Sequence, residues 1–324
     1  MLIVNIRQEL MRMPLDPQVA AHYAAQRATG DITQPISIEE IRANADRIYN
    51  DKSRSPQVFD VQDTVIPGPC GGVPVRIYTP GEEDGYPALI YFHGGGFIMH
   101  NIASHDSLCR QLCKVCGCVV VNVGYRLAPE HPYPACMEDG YTALQWVHDN
   151  AARWRMDRTR IALAGDSAGA NISAVVSLLA RDRHGPDVKL QILCYGSGGC
   201  LSDEKSESMQ AFSGGGYVLS KAFMSMAFQL YTQGKAEPED PYLNPGRAKN
   251  LSGLPKSYVI TAEYDPLRDD GEAFAKRLLE AGNDVTLFRV PGMMHGFLLL
   301  WEEFDRAQRV IDSIGTMVKE TFSC

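Results

Sequence analysis

Ser167 is the residue of this chain whose type and spacing point most directly to chemistry. It stands within Gly165-Asp166-Ser167-Ala168-Gly169, after an apolar run at residues 161–164 and before a predicted helix at residues 170–179. When a strand turns sharply into a helix through this G-x-S-x-G pattern, the serine hydroxyl is exposed above the edge of the sheet. The pattern therefore predicts a nucleophile. A glycine-rich turn whose serine has only a structural role would show the same sequence pattern.

A serine hydroxyl becomes a good nucleophile only when a base takes its proton, and that base is usually a histidine oriented by a carboxylate. Among the eight histidines, His295 lies in a glycine-flanked loop that directly follows a predicted strand at residues 285–290. Catalytic groups collect at the carboxyl ends of strands in open α/β sheets. We therefore predict His295 as the base.

The carboxylate partner is predicted from the same rule. Asp265 follows a predicted strand at residues 257–262, and three nearby carboxylates compete with it: Glu263, Asp269 and Asp270. Asp269 has a structural alternative, because with Glu272 it matches a helix capping box. We favour Asp265, which gives the chain order serine, aspartate, histidine that is typical of α/β-hydrolases.

A glycine run supplies the remaining part of such a site. His93-Gly94-Gly95-Gly96 follows a predicted strand at residues 88–92. Glycines let the backbone approach a ligand closely, so these N–H groups together with that of Ala168 are predicted to form an oxyanion hole. His93 precedes the glycines and is predicted to hold the loop rather than to act as a base.

The elements that must position these residues alternate between strand and helix. Residues 58–66 and 73–78 are predicted to form a hairpin, and the later strands are predicted at residues 88–92, 119–123, 161–164, 190–194, 257–262 and 285–290. Helices are predicted at residues 107–116, 134–150, 170–179, 271–281 and 303–322. Short buried strands that alternate with helices are typical of a mostly parallel sheet covered on both faces, the α/β class.

Two segments depart from this alternation and predict a helical cap. Residues 1–50 read as helices, with Asp16 as the cap of one and Ser37 as the start of another through a capping box with Glu40. Residues 202–250 are expected to be an insertion that packs with them over the sheet edge, and the core then comprises residues 51–201 and 251–324. Phe223, Met224 and Phe228 in the insertion are predicted core residues, and their contact with a pocket is left open.

Composition narrows the function classes. The 324 residues include 31 Lys and Arg against 39 Asp and Glu, a net charge of −8, which argues against nucleic acid or an anionic membrane as a partner. We expect no stable membrane association, because no apolar run approaches the ~20 residues that span a bilayer. Nine cysteines without a recognisable export signal predict free thiols in the cytoplasm. Three of these cysteines share one helix face and are predicted core residues rather than zinc ligands: Cys109, Cys113 and Cys116.

Five motifs together resemble the hormone-sensitive-lipase-like carboxylesterases, a family of the α/β-hydrolase fold. They are HGGGF from His93, YRLAPEHP from Tyr125, GDSAGAN from Gly165, DPLRD from Asp265 and HGF from His295. The resemblance implies a serine carboxylesterase for small, short-acyl esters that needs no metal or organic cofactor. It implies Ser167, Asp265 and His295 as catalytic residues, and Gly94, Gly95, Gly96 and Ala168 as the oxyanion hole. Homodimers that form through the edge strand or the last helix are common in the family.

Two features of the motifs remain structural expectations. Arg126 and Glu130 are predicted to pair with each other rather than to act in catalysis. The stretch from Cys194 to Gly199 replaces a more apolar, proline-bearing stretch of the family, and we expect this change to alter the cap hinge or the acyl pocket.

Two alternative functions remain open. An amidase or deacetylase would use the same triad, and a non-catalytic hormone receptor would keep the pocket while losing catalysis. The presence of His295 argues against the receptor.

Overall fold

The computed structural model describes residues 14–28, 37–50, 55–196, 198, 205–214, 219–235 and 237–323. Within these ranges the chain forms an eight-stranded sheet flanked by helices. The strands are β1 (Asp60–Ile66), β2 (Val73–Thr79), β3 (Tyr86–Phe92), β4 (Val119–Val123), β5 (Met156–Asp166), β6 (Leu190–Cys194), β7 (Lys256–Tyr264) and β8 (Val285–Met294). The helices are α1 (Pro17–Ala28), α2 (Ile38–Tyr49), α3 (Asp106–Cys116), α4 (Ala135–Asn150), α5 (Ala168–Asp182), α6 (Glu207–Phe212), α7 (Lys221–Thr232), α8 (Arg268–Glu280) and α9 (Asp305–Phe322).

The sheet is mostly parallel, as the sequence predicts. Its strand order is β1-β2-β4-β3-β5-β6-β7-β8, in which β1 and β2 form the predicted hairpin and β2 pairs antiparallel with β4. All pairs from β4 to β8 are parallel. The carboxyl ends of the six parallel strands β3 to β8 therefore meet at one edge of the sheet.

Alternating residues of the central strands pack into two cores on opposite faces of the sheet. Ile90 and Phe92 of β3 belong to a cluster with α4 and α5, whereas Leu89 and Tyr91 belong to a cluster with α3 and α9. Because successive side chains of a strand point to opposite faces, a strand with helices on both sides is apolar throughout. This explains why the strands read as continuous apolar runs in the sequence.

The cysteine prediction is confirmed at the three helical positions. Cys109, Cys113 and Cys116 are buried in the core between α3 and α9 as free thiols. Burial raises the pKa of the Cys113 thiol to about 12, so that it stays protonated and packs as a small apolar group. Cys200 and Cys324 lie outside the described residues.

The predicted N-terminal caps are present. Ser37 and Glu40 form both bonds of the capping box of α2, and Asp16 accepts the Gln18 N–H ahead of α1 at 3.0 Å. Residues 1–13 and 29–36 of the predicted helical segment lie outside the described residues. No helix in the described part of the chain is long and apolar enough to cross a membrane.

Two predicted pairings are wrong. Helix α8 begins at Arg268 without a side-chain cap, so Asp269 lies inside its first turn and accepts the Ser208 N–H at 2.8 Å instead of closing a capping box. Glu272 pairs with Arg289 of β8.

The other wrong pairing concerns the YRLAPEHP motif. Arg126 pairs with the buried Asp139 at 2.7 Å, and Glu130 pairs with Arg42 of α2 at 2.7 Å. In both cases the true partner is distant in sequence, and nothing in the local spacing marks it.

Candidate active site

Each side chain predicted to act in catalysis directly follows the last residue of a parallel strand. Ser167 follows β5, Asp265 follows β7 and His295 follows β8. β7 and β8 are neighbours in the sheet, with Tyr264 opposite Met294. The fold therefore brings Asp265 and His295 together by adjacency of strands, and it brings Ser167 to them along the same edge.

Ser167 occupies a strained turn between β5 and α5. Its backbone has φ 53° and ψ −118°, a conformation that residues with side chains rarely adopt. Its N–H donates to the Cys194 carbonyl at 2.9 Å, which anchors the turn to the neighbouring strand β6. The turn holds the serine hydroxyl clear of the helix that follows.

The two flanking glycines are required by close backbone contact. A Cβ atom at Gly169 would overlap the carbonyl oxygen of Phe92 in β3, and one at Gly165 would stand 2.7 Å from the same oxygen. Only glycine lets α5 start this close to β3. Gly165 and Gly169 thus let the helix approach the sheet, as the G-x-S-x-G pattern predicts.

A continuous hydrogen-bonded chain joins the three side chains. Ser167 Oγ lies 2.9 Å from His295 Nε2, and His295 Nδ1 lies 2.8 Å from Asp265 Oδ2. Asp265 is fully buried and His295 is 7% exposed. The second carboxylate oxygen of Asp265 accepts the Leu267 N–H at 2.9 Å, so both oxygens are held.

The competing carboxylates point elsewhere. Glu263 is also buried, but its Oε2 accepts the Gly292 N–H at 2.7 Å, which fixes the loop ahead of His295. Asp269 bonds Arg268 and Ser208. Of the carboxylates considered from the sequence, the hydrogen-bonded partner of His295 is Asp265.

The glycine turn after β3 faces the Ser167 hydroxyl across a cavity. Gly95 and Gly96 have φ of 114° and 59°, and both line this cavity together with Ala168. Within the described part of the chain, neither glycine N–H donates to a protein acceptor. Ala168 is the first residue of α5, so its N–H has no acceptor within the helix. These three N–H groups can receive a negative oxygen.

Gly94 does not belong to this set, and the prediction that includes it is corrected. Its N–H donates to Asp166 Oδ1 at 3.0 Å, so it has no capacity left for a ligand. The same carboxylate oxygen accepts the Tyr91 hydroxyl at 2.9 Å and the His105 ring at 3.1 Å. Gly94 thus anchors the turn whose next two residues remain free.

The Asp166 carboxylate is charged although it is buried. Burial by itself would raise the pKa of Asp166, but the charge and hydrogen bond of His105 and the Tyr91 hydroxyl lower it to about 2. The other nitrogen of His105 contacts Ser104 Oγ, whose own proton goes to the Asn101 carbonyl. Both His105 nitrogens therefore have hydrogen-bond partners.

His93 has the structural role that its position predicts. Its Nδ1 contacts the Gly94 carbonyl at 2.8 Å, and its ring stacks on Tyr125 at 4.2 Å between centroids. Burial and the nearby His105 lower the pKa of His93 to about 3, so this ring is neutral at pH 7.

The cavity above Ser167 has a volume of about 360 Å³ and mainly apolar walls. Phe223, Met224 and Phe228 of α7 all line it. The sequence had left open whether these three side chains contact a pocket. In the described residues that line it, Asp166 is the only carboxylate, and no lysine or arginine is present. The walls therefore suit an uncharged ligand.

Tyr195 is a residue of the site that the sequence reasoning did not single out. Its buried ring packs edge-to-face on the His295 imidazole, with centroids 5.1 Å apart, and it restricts the orientation of that ring. Tyr195 lies in the stretch after β6 where the motif departs from the family pattern. That departure was the sequence feature that could have identified Tyr195 as a residue of the site.

Known proteins share this architecture. Residues 89–299 match a family model described as the alpha/beta hydrolase fold. The carboxylic ester hydrolase LipN of Mycobacterium tuberculosis is 38% identical over 296 residues, covering 89% of this chain and 78% of LipN. The arylesterase of Saccharolobus solfataricus is 34% identical, covering 96% of this chain and all of that protein. A solved structure of a hyperthermophilic esterase from Pyrobaculum calidifontis superposes with a TM-score of 0.90 at 35% identity. The match covers 96% of this chain and 100% of that esterase.

Proposed function

Because this chain belongs to the hormone-sensitive-lipase-like family of α/β-hydrolases and is a carboxylic ester hydrolase, we propose that Ser167, His295 and Asp265 carry out its reaction. The single observation that carries this proposal is the chain of hydrogen bonds of 2.9 and 2.8 Å that links the three side chains. Gly95, Gly96 and Ala168 are proposed as the oxyanion donors.

In the first step Ser167 Oγ attacks the ester carbonyl while His295 Nε2 takes its proton. The carbonyl oxygen becomes negative and is held by the three backbone N–H groups, each of which is typically worth ~3 kcal/mol in the barrier. Asp265 keeps the proton of His295 on Nδ1 and stabilises the imidazolium. His295 then returns the proton to the leaving alcohol, and an acyl-serine remains.

In the second step water replaces the alcohol. His295 takes a proton from the water as it attacks the acyl carbonyl, the same N–H groups hold the negative oxygen, and the proton returns to Ser167 as the acid leaves. No other side chain has to change protonation state during the cycle.

The dimensions and lining of the cavity support small, uncharged esters with short acyl chains. A volume of about 360 Å³ lies near the lower end of the ~300–1,000 Å³ that ligand pockets occupy. The aromatic and thioether side chains of α7 close it above Ser167, with Phe223 3.5 Å from where a Cβ on Gly96 would stand.

We also propose the division into core and cap expected from the sequence. Residues 1–50 and 202–250 would be the cap, and residues 51–201 and 251–324 the core. Four hydrogen bonds from Arg42 of α2 support this division, since they tie this helix to the Ile98 and Ala128 carbonyls and, twice, to Glu130 in the proposed core.

A cytoplasmic homodimer is proposed for the whole molecule. Strand β8 lies at the edge of the sheet, and its Leu287 and Phe288 are 45% and 37% exposed, which supports pairing of two copies there. The seven free thiols in the described part of the chain support a reducing compartment. Light scattering of wild type and Phe288→Lys tests the dimer, which the charged variant should dissociate.

The roles of the triad are tested by matched isosteric variants assayed on p-nitrophenyl butyrate. Ser167→Ala should lower turnover by about a million-fold. Asp265→Asn should lower it by about 10⁴-fold because the wrong histidine tautomer is favoured. Glu263→Gln should stay within about tenfold, since the amide oxygen still accepts the Gly292 N–H.

Other outcomes would assign a different role. If Glu263→Gln lowered turnover strongly while Asp265→Asn did not, Glu263 would be the carboxylate partner of His295. Faster cleavage of a butyryl anilide than of the matched ester would favour an amidase, and wild-type protein without any hydrolysis would favour a receptor.

A further inference from the structure

His100 lines the active-site cavity in a backbone conformation that residues with side chains rarely adopt. Its φ is 68°, which lies in the left-handed region where a Cβ atom makes the backbone unfavourable. The same loop between β3 and α3 carries the oxyanion glycines. Strain of this kind persists where surrounding structure enforces it, and it clusters at functional sites.

The His100 ring is wedged between the cap and the oxyanion turn. It is 8% exposed, packs edge-to-face on Tyr49 of α2 at 5.2 Å between centroids, and contacts His105 at 5.6 Å. Its Cδ2 lies 2.9 Å from where a Cβ on Gly95 would stand. A group bound next to His100 is therefore also next to the proposed oxyanion donors.

The ring has hydrogen-bonding capacity that the protein does not use. Nδ1 is buried without a partner, so Nε2 is the ring nitrogen that is open to a ligand. No hydrogen bond joins the His100 ring to any other residue in the described ranges. Burial and the positive charge of His105 lower the pKa of His100 to about 3. At pH 7 the ring is neutral, so it offers one N–H donor and one acceptor nitrogen.

We propose that His100 determines specificity by binding an uncharged hydroxyl group of the ester held in this cavity. A hydroxyl both donates and accepts, so it suits Nε2 in either tautomer of the ring. An anionic group is disfavoured, because the described cavity walls carry no lysine or arginine and do carry Asp166. This inference rests on the proposed function, since it assumes that Ser167 attacks an ester in the same cavity.

Two pairs of esters, each differing by a hydroxyl in place of a methyl group, test the proposal. Ethyl 3-hydroxybutyrate is compared with ethyl 3-methylbutyrate, and 2-hydroxyethyl butyrate with propyl butyrate. The first pair places the hydroxyl on the acyl side and the second places it on the alcohol side. Acid release gives kcat/KM for each ester, and the readout is the ratio within each pair.

Three substitutions separate hydrogen bonding from packing. His100→Phe keeps an aromatic ring but removes both nitrogens. His100→Asn keeps a donor and an acceptor, and asparagine tolerates a positive φ. His100→Gly removes the side chain and the backbone strain together, and it replaces His100→Phe in the test if that variant does not fold.

His184 provides a matched control. It is an exposed histidine with a φ of 51° that does not line the cavity. His184→Gly relieves the same kind of backbone strain and should leave both ratios unchanged.

In wild type we expect the hydroxylated ester to be preferred about fivefold or more in one pair, the size of one net hydrogen bond. His100→Phe and His100→Gly should abolish that preference, and His100→Asn should retain part of it. The proposal is overturned if wild type shows no preference in either pair, or if His100→Phe keeps the wild-type ratio. Failure of wild type to hydrolyse all four esters would instead contradict the proposed function.

Discussion

The carboxylate of Asp166 accepts the N–H of Gly94 at 3.0 Å, and this bond ties the turn that carries the proposed nucleophile to the turn that carries the proposed oxyanion donors. Asp166 directly precedes Ser167, and Gly94 directly precedes Gly95. This buried hydrogen bond helps to hold Ser167 and the proposed donors at a fixed separation. His105 provides the positive charge that keeps the carboxylate ionised.

Replacing Asp166 by Asn should therefore affect both stability and turnover. The substitution leaves the buried His105 without its counter-charge, and breaking such a pair from one side typically costs about 3 kcal/mol or more. Looser oxyanion donors should lower turnover by about 10- to 100-fold, less than the loss of a donor outright. Urea unfolding and ester hydrolysis measure the two effects.

Asp149→Asn is the matched control for this substitution, because the Asp149 side chain is 72% exposed. It should change the free energy of unfolding by less than about 0.5 kcal/mol. An Asp166→Asn variant as stable as this control would show that the buried pair does not hold the site.

Gly169→Ala should disrupt the elbow through a steric clash. The added Cβ would overlap the Phe92 carbonyl oxygen in the backbone of β3, so helix α5 would have to move away from the sheet. We expect a loss of about 3 kcal/mol or more in the free energy of unfolding and little remaining esterase activity. Gly214→Ala, where no described residue lies within 4 Å of the new Cβ, should be close to neutral in urea unfolding. Equal stability of the two variants would contradict the packing argument.

Acid should destabilise the fold between pH 7 and pH 5 through His93 and His100. Burial and the charge of His105 lower the pKa of each ring to about 3, whereas in the unfolded chain it is about 6.5. The unfolded state therefore binds more protons as the pH falls below about 6.5, and each ring should cost about 2 kcal/mol of stability by pH 5. Asp166 does not contribute in this range, since its lowered pKa of about 2 affects stability only below about pH 4.

The variant His100→Phe isolates one of the two contributions. Its free energy of unfolding should fall by about half as much as that of wild type between pH 7 and pH 5, with urea unfolding as the measurement. A fall equal to that of wild type would show that His100 is not a buried neutral ring.

The strands and the positions of the catalytic candidates were predictable because they depend on local patterns. Apolar runs marked the parallel strands, and Ser167, Asp265 and His295 stand directly after β5, β7 and β8. Since parallel strands end at one edge, their order along the chain was enough to predict that the three side chains converge.

Interactions between distant residues were not predictable in this way. The spacing of Arg126 and Glu130 suggested a pair, but their partners are Asp139 and Arg42. Gly94 reads like its neighbours, yet a carboxylate 72 residues away occupies its N–H. The burial of His100 depends on packing between α2 and the oxyanion turn, which one sequence does not reveal.

The central claim, that Ser167 is the nucleophile activated by His295, is tested most directly by covalent labelling. The protein is treated with a p-nitrophenyl phosphonate ester, and peptide mass spectrometry locates the adduct. We predict one phosphonyl group on Ser167 with matching loss of activity, no adduct in Ser167→Ala, and much slower labelling in His295→Ala. An adduct on another residue, or full esterase activity after Ser167 has been labelled, would contradict the account.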